Sequence, residues 1–99
     1  MKRRRVLLSP DAVRQLRALR AHDRSLLTEG MRQQLEESDA TEETRNRFRL
    51  RRLSRVADFE LRVREWRVFY RVTDGKVQVV IIGRKRGDFL IVDRKRFVL

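Results

Sequence analysis

Residues 59–72 read FELRVREWRVFYRV, and this stretch decides the fold because apolar and polar side chains alternate along it. A period of two is typical of β-strands that bury one face and expose the other. The alternation is interrupted at Arg64-Glu65, which predicts a tight turn between two antiparallel strands. The stretch therefore predicts a β-hairpin.

Further strands are predicted on the C-terminal side of this hairpin. Asp74-Gly75 is a strong hairpin signal, and residues 77–82 are apolar on both faces, as in a central strand. Gly83 is predicted to end that strand, and residues 84–86 (RKR) are predicted to form a basic corner after it. Two short apolar runs predict a last hairpin, at residues 89–92 and 97–99.

The N-terminal half is predicted to form one short strand and two helices. Residues 5–8 are β-prone, and residues 9–11 (SPD) combine an N-cap serine, a proline at the first helical position and an acid in the first turn. Apolar side chains then recur at helical spacing on both sides of a break near residues 22–23, which predicts an antiparallel helical hairpin. The acidic stretch 36–44 is predicted to be a surface linker, with a lid over the basic surface as the alternative.

The order of these elements predicts the fold class. A chain of 99 residues, 40% of them hydrophobic, is expected to form one domain, residues 1–99, with one modest core. Two helices must then cover one face of the sheet. The sequence predicts an α+β fold, with an N-terminal strand and a two-helix hairpin packed on one face of a mostly antiparallel sheet.

The charge of the chain points to a polyanionic partner. The formal net charge is +12, from 26 basic and 14 acidic residues. An excess of this size favours nucleic acid, and guanidinium groups match phosphate geometry. All but four of the basic residues are arginine, which the codon usage of a GC-rich genome also explains.

Several kinds of chemistry are excluded by residue content. The chain has no cysteine and one histidine, His22, which is predicted to be a surface or capping residue in the turn between the helices. Neither a carboxylate cluster nor a phosphate-cradling glycine motif is present, so we expect no metal and no cofactor. No stretch is long enough to span a membrane, and a cytoplasmic location is expected.

The predicted sheet has a face that could bind a nucleic-acid strand. Period two places the following residues on the face away from the helices, with the basic corner at the end of the neighbouring strand: Arg62, Arg64, Arg67, Phe69, Arg71, and Arg84, Lys85, Arg86. Arginines interleaved with an aromatic ring suit a single strand, with phosphates on the arginines and a base on the ring. The alternative is a solvated polar face, in which Glu60 and Glu65 balance charge. The density of positive charge favours a functional surface.

RNA cleavage is possible on such a face without a metal. RNA carries its own nucleophile, the 2′-hydroxyl. Arginine and lysine side chains can stabilise the charge that develops on the attacking oxygen and on the phosphate. The residues therefore allow an electrostatic, metal-independent endoribonuclease.

The chain resembles the RelE/ParE superfamily of bacterial and archaeal toxins over nearly its whole length. Residues 9–12 (SPDA) are similar to the start of the family's first helix. Residues 59–72, which follow Leu50 and Leu53, resemble the family hairpin YELRVGDYRVFYRV, and residues 77–86 resemble its segment VVVLRVGHRR. The resemblance implies a RelE-like fold.

The resemblance also implies a function and partners. The chain would be the toxin of a type II toxin–antitoxin pair, with a small antitoxin whose acidic C-terminal region wraps the basic face. The RelE branch cuts mRNA in the ribosomal A site, which makes the ribosome and mRNA the expected partners. The ParE branch poisons DNA gyrase instead, without catalysis. A nucleic-acid-binding module without toxicity is the third hypothesis.

Residue roles carry over from the RelE branch. The resemblance implies that Arg67 contacts the scissile phosphate and that Arg62 and Lys85 are catalytic with it. Binding of RNA is expected of the other basic and aromatic side chains of this surface: Arg64, Phe69, Arg71, Arg84 and Arg86.

Two tyrosine positions bear on the choice between the branches. The family's late tyrosine falls near Ile91 and is absent here, which keeps the gyrase hypothesis open as the alternative to the favoured ribosome-dependent endoribonuclease. Tyr70 is the only tyrosine and resembles a core position of the family, so it is expected to be packed.

Overall fold

The computed structural model describes residues 3–51 and 56–98, so Leu53 and Leu99 of the sequence analysis lie outside the described residues. The elements in chain order are β1 (Arg5–Leu8), α1 (Pro10–Arg17), α2 (Ala21–Met31), a π-helical turn (Arg32–Glu36), β2 (Arg47–Arg49), β3 (Phe59–Val63), β4 (Trp66–Thr73), β5 (Lys76–Arg86), β6 (Phe89–Val92) and β7 (Lys95–Val98). The predicted α+β class, with an N-terminal strand and a helical hairpin on a mostly antiparallel sheet, is confirmed.

The strands form one sheet in the order β2-β3-β4-β5-β6-β7, and β1 pairs with β5 outside this path. The β1–β5 pairing is parallel, and the other pairings are antiparallel. Because β4 occupies one edge of β5, β1 and β6 must share the other edge. β1 pairs with residues 76–79 and β6 with residues 84–86, which leaves a gap between them.

Ser9 closes the first part of this gap. Its backbone N–H donates to Val79 O at 2.8 Å, and its hydroxyl donates to Val80 O at 2.7 Å. The same hydroxyl oxygen accepts from Ala12 N at 3.0 Å and so caps α1, as predicted. One side chain therefore both starts the helix and fastens it to the sheet.

Gln15 closes the rest of the gap from the next turn of α1. Its Oε1 accepts from the backbone N–H of Ile82 at 2.7 Å, and its Nε2 donates to Asp93 Oδ2 at 3.1 Å. The Gln15 side chain is buried and so is its bond with Ile82, whereas its bond with Asp93 is partly buried. Gln15 thus takes the place that a neighbouring strand would take along β5.

The core lies between the helices and one face of the sheet. The alternate strand residues predicted to face the helices do so, and the buried ones are Leu61, Trp66, Val68 and Tyr70. Tyr70 is packed, as expected: its ring stacks on Phe59 at 5.2 Å, and its hydroxyl donates to Ala40 O at 2.7 Å. Burial raises the pKa of Tyr70.

The stretch 36–44 differs from its prediction because of this last contact. Ala40 is fully buried and belongs to the core cluster, so the stretch is not only a surface linker. It packs on the helix side of the sheet, because the side chain of Tyr70 points there. A lid over the basic surface is therefore not formed.

Some predicted boundaries were wrong, and one strand was missed. Gly83 does not end its strand, because β5 continues to Arg86 and pairs with β6. A Cβ at Gly83 would lie 2.9 Å from side-chain atoms of Leu90 and Val92, so the glycine allows β6 to pack closely. The break between the helices lies before residue 21, and His22 is an exposed residue in the first turn of α2. The short strand β2 was not predicted.

The role of Gln15 can be tested by denaturation. Replacing Gln15 by alanine leaves the buried N–H of Ile82 without its acceptor, so we expect Gln15→Ala to lower the free energy of unfolding by about 1–3 kcal/mol. Urea unfolding followed by circular dichroism measures the difference. Gln33→Ala, at an exposed glutamine, should stay within about 0.5 kcal/mol of the native chain. Equal effects of both changes would contradict the assigned role.

Candidate nucleic-acid interface

The face of the sheet away from α1 and α2, called the open face below, is defined by strand register. Directly opposed residues of antiparallel strands point to the same side. Arg62 opposes Arg67 across β3 and β4, and Arg67 opposes Gly83 across β4 and β5. The open face carries, by register and alternation, Phe48, Glu60, Arg62, Arg67, Phe69, Arg71, Gln78, Ile81 and Lys85. The three predicted catalytic residues therefore share one face.

Arg62 is held in place from two sides. Its Nε donates to Glu60 Oε2 at 3.0 Å, and its guanidinium carbon lies 4.7 Å from the centre of the Phe48 ring. The Glu60 side chain is 12% exposed, whereas that of Arg62 is 46% exposed. Arg62 is thus positioned through Nε while much of its side chain remains open to solvent. This leaves its terminal nitrogens available to an incoming phosphate.

Arg67 lies deeper than the sequence analysis expected. It is only 8% exposed, and its Nη1 donates to the backbone oxygens of Arg64 at 2.6 Å and of Trp66 at 2.9 Å. Burial lowers the pKa of Arg67, and the charge of Arg62 lowers it further, while Glu60 opposes both. The Arg62–Arg67 pair therefore has only partial charge compensation from Glu60, which favours an anion above it.

Of the other residues predicted for this surface, Lys85, Phe69 and Arg71 lie on the open face and Arg64 does not. Lys85 is exposed on the open face, and Phe69 is half-buried there between Glu60 and Ile81. Arg71 is half-buried opposite Gln78. Arg64 does not lie on the face, because it forms the β3–β4 turn with a φ of 55°. These residues give the open face an aromatic and aliphatic centre with charge around it.

Arg84 and Arg86 do not join the open face. Since β5 continues through Gly83, alternation sends Lys85 to one side and its two neighbours to the other. The guanidinium carbon of Arg84 lies 5.5 Å from the centre of the Trp66 ring, and its Nη2 lies 3.6 Å from Glu65. The predicted convergence of the whole basic corner is wrong, and only Lys85 accompanies Arg62 and Arg67.

Ile91 also points away from the open face. It opposes Arg84 across β5 and β6, whereas Leu90 opposes Lys85. The position expected for the family's late tyrosine therefore faces the Trp66 side of the sheet. The only tyrosine and the only histidine of the chain are both elsewhere, so the open face offers neither for proton transfer.

Phe48 is the residue of this surface that sequence reasoning missed. It lies on β2, a strand of only three residues that has no run of alternation to signal it. The strand is anchored by its neighbour Arg47, whose Nε donates to Glu42 O at 2.8 Å and whose Nη1 donates to Gln34 O at 2.6 Å. This buried arginine fixes the ring that lies against Arg62.

A cavity of about 540 Å³ opens on the other side of the sheet, between α1 with the residues that follow it and the turn that joins β6 to β7. We call it the helix-side groove; its walls include Arg14, Leu19, Trp66, Arg84, Ile91 and Arg94. Trp66 Nε1 and Arg84 Nε are buried here, and neither finds a hydrogen-bond partner in the described part of the chain. An unpaired buried donor costs on the order of 1–3 kcal/mol.

The hydrogen bonds of Asp93, at the rim of this groove, predict that the stability of the fold depends on pH. A hydrogen bond from Arg14, and a second from Gln15, hold the pKa of Asp93 below its ordinary value of 3.8. Such a carboxylate stabilises the fold above its unfolded pKa, and the contribution is lost as the pH falls through the folded pKa. We therefore expect the melting temperature to fall between about pH 5 and pH 2, and to fall less in Asp93→Asn.

Thermal unfolding across this pH range measures both slopes. Asp74→Asn is the matched control, because it removes one carboxylate from the exposed β4–β5 turn. It should keep the slope of the native chain. A slope unchanged by Asp93→Asn would contradict the assigned contribution.

Comparison with known proteins gives one match. The family model described as ParE toxin of type II toxin-antitoxin system, parDE, matches residues 6–89. The matched region includes Arg62, Arg67 and Lys85, and Ile91 lies beyond it. No significant match was found among curated proteins or among solved structures. No helix in residues 3–51 and 56–98 is both long and apolar enough to cross a bilayer.

Proposed function

Because the chain belongs to the ParE toxin family, within the RelE/ParE superfamily of type II toxin–antitoxin toxins, we propose that it blocks translation as a ribosome-dependent mRNA endoribonuclease. The observation that supports this most is that Arg62, Arg67 and Lys85 share the open face. The family implies an antitoxin partner. In this proposal the toxin acts in the cytoplasm, and an acidic region of a small antitoxin covers the same face.

The open face suits a splayed RNA strand. Arg62 holds a phosphate through its terminal nitrogens, and Lys85 adds an exposed positive charge beside it. Phe69 and Ile81 supply a flat apolar surface on which a base can stack. The Arg67 side chain has little contact with solvent, but its charge raises the positive potential beneath the phosphate.

The proposed reaction uses the 2′-hydroxyl of the bound RNA. This oxygen attacks the adjacent phosphorus, the bond to the 5′-oxygen breaks, and the products carry a 2′,3′-cyclic phosphate and a 5′-hydroxyl. Arg62 and Arg67 stabilise the charge that develops on the phosphate oxygens. The Lys85 ammonium donates a proton to the leaving oxygen, and water accepts the proton of the 2′-hydroxyl. The ribosome supplies a strand held in the required geometry.

A translating extract tests this function. Added toxin should give cuts within codons at the ribosome, and Arg62→Ala and Lys85→Ala should each slow cleavage about 10²-fold. Arg67→Ala should abolish it, provided that circular dichroism shows the variant to be folded. Arg17→Ala removes an exposed arginine from α1 and should cut as fast as the native chain. Full arrest of translation with intact mRNA would contradict the proposal.

Gyrase inhibition without catalysis is the second candidate, and two observations favour it. The Arg67 guanidinium is engaged by backbone oxygens, and the open face has no tyrosine or histidine for proton transfer. A supercoiling assay with purified gyrase decides between the candidates. Inhibition that survives Lys85→Ala, together with uncut mRNA in the extract, would favour gyrase as the target. Unaffected supercoiling at excess toxin would exclude it.

A further inference from the structure

We propose that the helix-side groove binds an acidic side chain of a partner protein, carried by a segment whose neighbouring residues are apolar. The groove lies on the opposite side of the sheet from Arg62, Arg67 and Lys85. It is therefore a second site, and its occupation does not depend on whether the open face cuts RNA.

The first step is that two buried donors of the groove have no acceptor in the described residues. Trp66 is 7% exposed, and its Nε1 has no hydrogen-bond partner; Arg84 Nε is buried and likewise unpaired. Neither an indole N–H nor a guanidinium can accept a hydrogen bond. The Arg84 guanidinium carbon lies 5.5 Å from the centre of the Trp66 ring, so both side chains belong to the same part of the groove. Because the two donor atoms are buried, an acceptor from a ligand reaches them when the Arg84 side chain, which is 42% exposed, shifts.

The second step is that this acceptor should be anionic. Arg14 is already bonded to Asp93 and Asp11. Arg84 has only a loose pair with Glu65 at 3.6 Å, and no ion pair involves Arg94 within the described residues. Among the residues that line the groove, three are arginines (Arg14, Arg84 and Arg94) and one, Asp93, is acidic. A carboxylate forms stronger hydrogen bonds to such donors than a neutral carbonyl does.

The third step identifies the source of the carboxylate. The groove is walled by Ala18, Leu19, Ile82 and Ile91 beside the charged residues. A protein segment can cover these aliphatic walls with its own apolar side chains, whereas a nucleotide offers them only the face of its base. The volume of about 540 Å³ accommodates one acidic side chain and its flanking residues.

Trp66 makes the test direct, because it is the only tryptophan of the chain. Its indole N–H gives one signal in nitrogen-edited NMR. The blocked tripeptide acetyl-Leu-Glu-Leu-amide should move this signal downfield with a dissociation constant of about 1 mM. The glutamine analogue, acetyl-Leu-Gln-Leu-amide, should bind at least about tenfold more weakly. Equal shifts from both peptides, or no shift up to about 10 mM, would overturn the proposal.

Arginine variants locate the binding. Arg84→Gln should weaken the glutamate peptide about tenfold, whereas Arg86→Gln should change it less than about twofold. The two variants lose the same charge from the same strand. If Arg84→Gln does not fold, Arg84→Lys keeps the charge and removes the Nε donor, and it should bind more weakly than the native chain. Equal binding by the folded Arg84 variant and the native chain would also overturn the proposal.

Replacing Trp66 by phenylalanine gives a readout that a purely structural role would not produce. Because Trp66 belongs to the core, Trp66→Phe leaves a small cavity and should lower the unfolding midpoint while the chain still folds. The same change should weaken the peptide about fivefold by calorimetry. Unchanged peptide binding by the folded Trp66→Phe variant would overturn the proposal, because it would show that the indole N–H does not contact the peptide. A shift of the native indole signal by oligouridylate equal to that from the peptide would identify RNA as the occupant.

Discussion

The outer edge of β5 is the constraint on which the rest of the structure depends. Two strands share that edge, and neither reaches its middle, where backbone groups of Val80 and Ile82 would otherwise lack partners. Ser9 and Gln15 of the first helix complete the edge. These bonds fix α1 against the sheet, and the helix-side groove lies at the C-terminal end of that helix. Neither α1 nor α2 covers the other face of the sheet.

The elements that the sequence predicted well are those with a strong local signal. The alternation in residues 59–72 predicted the hairpin and its inward side chains, and Ser9 predicted the start of α1. The sides of the sheet on which residues 84–86 lie were predicted wrongly, because Gly83 was interpreted as the end of the strand. Because Gly83 has no Cβ, the side chains of Leu90 and Val92 in β6 can pack close to it. This packing depends on residues distant from the hairpin and has no local pattern.

The sequence predicted the charge of the candidate site but not how deeply its residues are buried. Alternation placed Arg62 and Arg67 on one face, and the register confirms that they are directly opposed. Alternation says nothing about burial, which the turn at Arg64 determines by offering a backbone oxygen to Arg67. Phe48 was missed because a strand of three residues gives no period. Its place depends on the buried Arg47, whose partners come from a distant segment.

The two sides of the sheet lack different interaction partners: one lacks negative charge and the other lacks a hydrogen-bond acceptor. On the open face, Arg62 and Arg67 share the single carboxylate of Glu60, so negative charge is lacking near the exposed guanidinium of Arg62. In the helix-side groove, Trp66 and Arg84 lack an acceptor in an apolar setting. In the proposed function, the phosphates of a nucleic-acid strand supply the negative charge that the open face lacks. In the proposed groove complex, a protein segment supplies a carboxylate together with apolar side chains, so the two proposals assign the two sides of the sheet to chemically distinct partners.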